Sequence, residues 1–186
     1  MKKQLILSVL VVLSLSASAQ TWNVDKAHAK LGFSITHLMI SDVEGSFRTY
    51  EATITSSKDD LSDAVFEISA DITGINTDNE GRDKDLQSDR YFDAAKFPKL
   101  SYKSTSFTKI EGNKYKLVGD LTMKGVTKPV ELQVIINGPI DSRGKKKIGI
   151  KVSGTFKRTD FGIGGPGNAM LSEEVTLIAN GEFVKG

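Results

Sequence analysis

The chain has no cysteine and only two histidines in 186 residues. The first absence excludes a disulfide framework, a thiol nucleophile and a cysteine metal site. The second excludes a three-histidine metal centre. An excess of one charge sign is also missing: the formal net charge is +2, and Lys2 and Lys3 alone account for it. A nearly neutral chain argues against a dedicated nucleic-acid binder. A membrane-spanning run is absent from the apolar start of the chain. Leu5 to Leu15 is 11 residues long, where a spanning helix needs about 20. The 39% hydrophobic and 26% charged residues are the proportions of a globular protein, so a disordered or fibrous chain is excluded.

The first residues have the three parts of a secretory leader. Lys2 and Lys3 form a positive start. Leu5 to Leu15 is apolar, broken only by serines, and Ser16-Ala17-Ser18-Ala19 ends in an A-x-A cleavage pattern. Cleavage is expected after Ala19, leaving residues 20–186 as a single neutral domain. Gln20, not cysteine, would follow the cut, so no lipoprotein acyl site is expected. The predicted location is the periplasm or the outside of the cell, and a lack of cysteine does not conflict with it.

Beyond Gln20 the dominant signal is alternation. Leu31, Phe33 and Ile35 are apolar with polar or small residues between them. Phe66, Ile68, Ala70 and Ile72 repeat the pattern, as do Val130, Leu132, Val134 and Ile136, and Ile148, Ile150, Val152 and Phe156. Period two with one dry face is the mark of antiparallel strands. Further strands are predicted at Val43–Ile54, Leu100–Phe107, Tyr115–Met123 and Val175–Val184. The total is about eight, with Trp22–Val24 a short ninth. Thr77-Asp78-Asn79-Glu80 reads as a capping box opening a polar surface helix to about Asp89, followed by Tyr91, Phe92 and Phe97. A helix this polar cannot form a core layer, but it can cover the end of one.

Long antiparallel strands with one apolar face favour a closed barrel over a sandwich. At eight strands the interior holds either packed side chains or one small ligand. Gly45, Gly119, Gly154 and Gly181 fall on inward positions, and mark either a cavity or the bends of a filled barrel.

Candidate chemical motifs are few. Gly162-Ile163-Gly164-Gly165-Pro166-Gly167 matches G-x-G-x-x-G, but no helix follows it, so it reads as a loop at the barrel rim. Asp78, Glu80, Asp83, Asp85, Asp89 and Asp93 are interleaved with Arg82, Lys84 and Arg90, a solvated face and not a calcium loop. Arg143 to Lys147 is a basic hairpin tip, a soluble turn or a weak lipid head-group contact. His37 and Arg158 have inward parity at strand ends, which places them at a mouth, where each either closes the barrel by a hydrogen bond or meets a ligand. Asp160 is a candidate partner for Arg158, and Asp25 for His28. No serine sits in a nucleophile elbow and no acid pair stands out, so no enzyme is predicted and no cofactor or metal is expected.

Several separated motifs resemble one family. They are Trp22-Asn23-Val24-Asp25 with His28; Phe33 and His37; Val43-Glu44-Gly45-Ser46-Phe47; Ile75-Asn76-Thr77 with Arg82-Asp83 and Leu86; Phe92-Asp93; Phe97-Pro98; Gly119-Asp120-Leu121-Thr122; Gly125 to Val130; and Arg158-Thr159-Asp160-Phe161-Gly162. In this order, from Trp22 to about Val184, they resemble the YceI-like family of exported, lipocalin-like bacterial proteins. Ala29 departs from the serine more usual there. The resemblance implies an all-β fold, an eight-stranded antiparallel barrel with one short helix and an apolar tunnel. It also implies a long amphiphilic cargo: an isoprenoid, an isoprenoid quinone or a fatty acid derivative.

The expected function is therefore an exported lipid carrier or scavenger. Its tunnel wall would be Phe33, Ile35, Phe47, Phe66, Ile68, Tyr102, Leu117, Leu132, Val134, Ile150, Val152 and Phe156, with the head group near His37 and Arg158. Transient membrane contact is expected, no nucleic acid is, and a homodimer is left open. Two other readings stand beside it. One is a filled barrel that serves as a protein-interaction or stress-response module, and the other is an enzyme acting on a lipid head group through His37.

Overall fold

The apolar alternation becomes ten strands, because an extended segment with one greasy face is stable only when that face is covered. The computed structural model describes residues 19–165 and 170–186. Apart from Ala19, the expected leader lies outside them, as does the end of the glycine motif.

The strands are β1 (Gln20–His37), β2 (Ser41–Phe47), β3 (Tyr50–Ser56), β4 (Val65–Asp71), β5 (Ile75–Asn76), β6 (Lys99–Glu111), β7 (Lys114–Met123), β8 (Val126–Ser142), β9 (Lys145–Lys157) and β10 (Leu171–Lys185). Every pairing is antiparallel. β10 pairs back onto β1 and closes the sheet. On its other edge β1 meets β3 through Gln20–Asn23 and β2 through Leu31–His37. Thus β2 and β3 make one broken stave, and the barrel has eight. The short β5 lies outside β2.

Two strand assignments change, for a common reason. Trp22–Val24 is not a separate strand but the lower part of β1, and the register slips between Asp25 and Ala29. Inward positions are even below the slip (Trp22) and odd above it (Leu31), so an uninterrupted strand looks like two. The predicted strand Val43–Ile54 breaks at Arg48-Thr49, where the buried set passes from Phe47 to Ala52 and Ile54.

The helix α1 (Glu80–Gln87) is present, but its cap is displaced from Thr77 to Asn79. The Asn79 side chain accepts a hydrogen bond from the Arg82 backbone N–H at 2.9 Å. Thr77 is buried beneath. It donates to Asp83 from its N–H (2.9 Å) and hydroxyl (2.6 Å), and its oxygen accepts from Arg82 Nε at 2.8 Å. Thr77 ties the helix to the barrel; it does not start the helix.

The end of the barrel away from α1 is closed. Trp22, Ile54, Ile148 and Phe183 meet there at adjacent register positions, all buried.

Candidate functional site

At the other end the staves do not meet over the axis. His37 closes β1, Phe156 lies near the end of β9, and Leu171 and Val175 begin β10. α1 lies across this opening with its single large apolar side chain, Leu86, turned into it. Tyr91 and Phe92 follow α1 and line the same space. Arg158, which opens the 3₁₀ turn Arg158–Phe161, and Ile163 complete the lining. The cavity measures about 420 Å³, within the range of about 300–1,000 Å³ usual for small-molecule sites. Its lining is mainly apolar, and its charged members are Arg82 and Asp85 on α1 and Arg158.

Two smaller chambers continue down the axis. The middle one, about 70 Å³, shares Phe33, Phe92 and Phe156 with the mouth. The far one, about 40 Å³, shares Leu31, Phe66, Ile68 and Val152 with the middle. The interior is therefore neither an open pipe nor a filled core. It holds separate spaces, largest at the roofed end, whose shared linings include Phe33, Phe92, Phe156 and Phe66.

The residues expected to line it divide by depth. Phe33, Ile35, His37, Phe156 and Arg158 line the mouth. Phe47, Tyr102, Leu117 and Leu132 line the middle chamber, and Phe66, Ile68 and Val152 line both the middle and far chambers. Ile150 lines the far one alone.

Val134 does not line these chambers. It is fully buried between its neighbours Tyr115 on β7 and Val152 on β9. Inward parity takes a side chain into the interior without deciding whether it meets space or another side chain. The sequence leaves the four inward glycines open between a cavity and barrel bends; at each a neighbour occupies the place a Cβ would take, and Gly181 also borders the far chamber. A Cβ on Gly45 would collide with the Phe33 ring, one on Gly119 with Tyr102, one on Gly154 with Leu132, and one on Gly181 with Ala29.

Arg158 is also not a free head-group ligand. It is 3% exposed, and its donors go to backbone carbonyls. Nε donates to Ser172 at 2.9 Å, Nη1 to Ile163 at 2.8 Å and Gly165 at 3.2 Å, and Nη2 to Leu171 at 3.2 Å. The expected partner Asp160 is not among these acceptors. The guanidinium fork pins the glycine loop to the start of β10 and so shapes the mouth wall. Gly164 passes directly over it, where a Cβ would lie 3.0 Å from both Nη1 and Tyr91.

Leu86, Tyr91, Phe92 and Ile163 were not expected in the site. The signal for them was present: Leu86 is the lone large apolar residue of a polar helix, and two aromatics follow it. A polar helix that retains one leucine uses it to cover something.

The basic run lies at the closed end. Lys147 Nζ bridges Asp25 (3.2 Å) and Glu182 (2.9 Å), and His28 Nδ1 is 3.1 Å from Asp25. The hydrogen bonds from His28, then Lys147, hold the Asp25 carboxyl below its usual range. Those to Glu182, then Asp25, raise the Lys147 ammonium. Asp25, His28 and Glu182 are near enough to share a cation, but the Lys147 ammonium already sits on both carboxylates.

This architecture has relatives. A protein named YceI from Salmonella newport is 35% identical over 194 residues, covering all of this chain and 99% of the relative. The crystal structure of a Campylobacter jejuni YceI protein superposes with a TM-score of 0.74 at 36% identity, covering 87% of this chain and 96% of that one. A domain from Saccharophagus degradans, described as polyisoprenoid-binding and implicated in plant cell wall breakdown, shares the fold. Its TM-score is 0.67 at 12% identity, over 89% and 98% of the two chains. The YceI-like domain family matches residues 22–183, and the chain belongs to that family.

Proposed function

We propose that the protein is an exported carrier or scavenger that holds a long amphiphilic lipid in the barrel. The cargo would be an isoprenoid, an isoprenoid quinone or a fatty acid derivative. The observation that carries the reading is the roofed, mainly apolar cavity of about 420 Å³ leading into two further chambers. Each methylene buried there contributes about 0.8 kcal/mol, so a tail of about a dozen carbons offers roughly 10 kcal/mol before the cost of association. Such a site needs no precise acid, base or metal. The polyisoprenoid-binding description of the S. degradans domain supports the same ligand class. The charged groups nearest a head group are Asp85 and Arg82, the latter with Nε and Nη2 already held by Thr77, and the His37 ring lines the same cavity. The leader-like first residues support export to the periplasm or beyond.

Loading would take place at the mouth. Leu38, Met39 and Ile40 connect β1 to β2 there, with Met39 75% and Ile40 83% exposed. Leu38 and Met39 both take positive φ, 52° and 59°, where glycine or asparagine is the ordinary choice. The Leu38 N–H donates to the carbonyl of Met170, which itself lines the mouth. An apolar tip continuous with an apolar cavity suits contact with a bilayer surface, from which a tail can enter without crossing water.

Native mass spectrometry of protein from a membrane-containing host tests the reading. A co-purified amphiphile that is lost on denaturation is expected. Protein that emerges empty and takes up no isoprenoid, quinone or fatty acid would overturn it.

A further inference from the structure

The tunnel wall contains a polar atom that the barrel does not use. Tyr102 is 5% exposed and points inward from β6, three residues from its mouth end. Its ring lies over Gly119 on β7: a Cβ there would approach the Tyr102 ζ carbon, which bears the hydroxyl, to 2.6 Å. Glycine makes the room in which the phenol lies. The side chain lines the middle chamber among Leu117, Leu121, Val130 and Leu132. Its hydroxyl is buried and has no hydrogen-bond partner among the described residues.

A buried hydroxyl without a partner is a net cost to the empty barrel, and phenylalanine would fill the same volume without it. A buried tyrosine ordinarily finds a partner for its hydroxyl. Burial among apolar groups raises the phenol well above its usual pKa, so it remains a neutral O–H and a donor at every physiological pH.

We propose that the Tyr102 hydroxyl is a specificity element that donates a hydrogen bond to an acceptor oxygen carried part-way along the cargo. The preferred cargo would then not be an unbroken hydrocarbon below its head group, but an amphiphile with a carbonyl, ether or quinone oxygen at the depth of the middle chamber. This rests on the tunnel reading above and adds to it a chemical feature of the ligand. A plain tail leaves the hydroxyl unpaired and an oxygenated one satisfies it, so the site discriminates by a hydrogen bond and not by length.

The test compares octadecanoate with its 6-oxo and 12-oxo analogues by isothermal titration, on the protein as exported and on Tyr102→Phe. At least one keto acid is expected to bind the unaltered protein roughly tenfold more tightly than octadecanoate, the size of one buried hydrogen bond. Tyr102→Phe should erase that preference. The empty variant should melt no lower than the unaltered protein. Equal affinity for all three acids, a preference that survives Tyr102→Phe, or a clear fall in melting temperature of the empty variant would each overturn the assignment. Failure of all three acids to bind the unaltered protein would overturn the tunnel reading, and this assignment with it. Failure of the preference alone would leave the tunnel standing.

Discussion

The two ends of the barrel are built from the same strands and do opposite things. At the closed end Trp22, Ile54, Ile148 and Phe183 fill the axis, and charge is confined to the rim, where Lys147 bridges Asp25 and Glu182. At the mouth the staves stop short, a polar helix forms the roof and apolar side chains face solvent at Leu38, Met39 and Ile40. Tight packing and open space are separated along the axis. One end can be left under-packed because the other is packed tightly, and closure of β10 onto β1 holds both together.

Breaking the closed end should have the largest effect. Trp22→Ala deletes a side chain that is 2% exposed and should cost about 3–5 kcal/mol in urea unfolding. A value near zero would mean that this end does not anchor the barrel. Next comes the mouth. Ile35→Trp fills the entrance and is expected to weaken lipid uptake at least tenfold. It should change stability by only about 1–3 kcal/mol of overpacking, with a displaced fluorescent fatty acid as the readout. Ile150→Trp lies between these. It lines only the far chamber of about 40 Å³, so it should shorten the longest chain accepted and spare short ones, as a chain-length series would show.

A smaller effect is expected at the rim. Met39→Asp with Ile40→Asp should slow transfer from phospholipid vesicles while leaving stability within about 0.5 kcal/mol, as exposed positions allow. Unchanged transfer would remove the membrane-contact reading. The smallest effect is electrostatic. The folded Asp25 pKa lies below its ordinary 3.8, so its stabilising contribution is present above that pH and is lost as pH falls through the depressed folded value. Asp25→Asn should therefore lower the melting temperature slightly at neutral pH and make its acid decline shallower, without altering cargo affinity.

Much of this was legible in the residues. Alternation is local, so the inner face of β8 or β9 can be read from a few neighbours. The polar segment after Thr77 was recognisably a surface helix. Errors arose where one local signal had two outcomes. Trp22–Val24 and Val43–Ile54 were misdivided because a bulge and a break reverse parity inside what looks like one rule or two. Arg158 has the parity of a ligand-facing residue, yet its fork is taken up by carbonyls from Ile163, Gly165, Leu171 and Ser172. Val134 and Ile150 carry similar side chains at similar parity, but only Ile150 borders space.

Which side of each strand is greasy followed from amino-acid order alone, because side-chain direction along a strand depends only on counting by two. How much room lies between the greasy sides did not. That volume is the small remainder when the side chains of eight staves are subtracted from a closed barrel, and it depends on every stave at once. Phe33 over Gly45 and Tyr102 over Gly119 are met within neighbouring hairpins, but the space they leave is bounded on all sides only when a helix roofs the mouth and β10 closes onto β1.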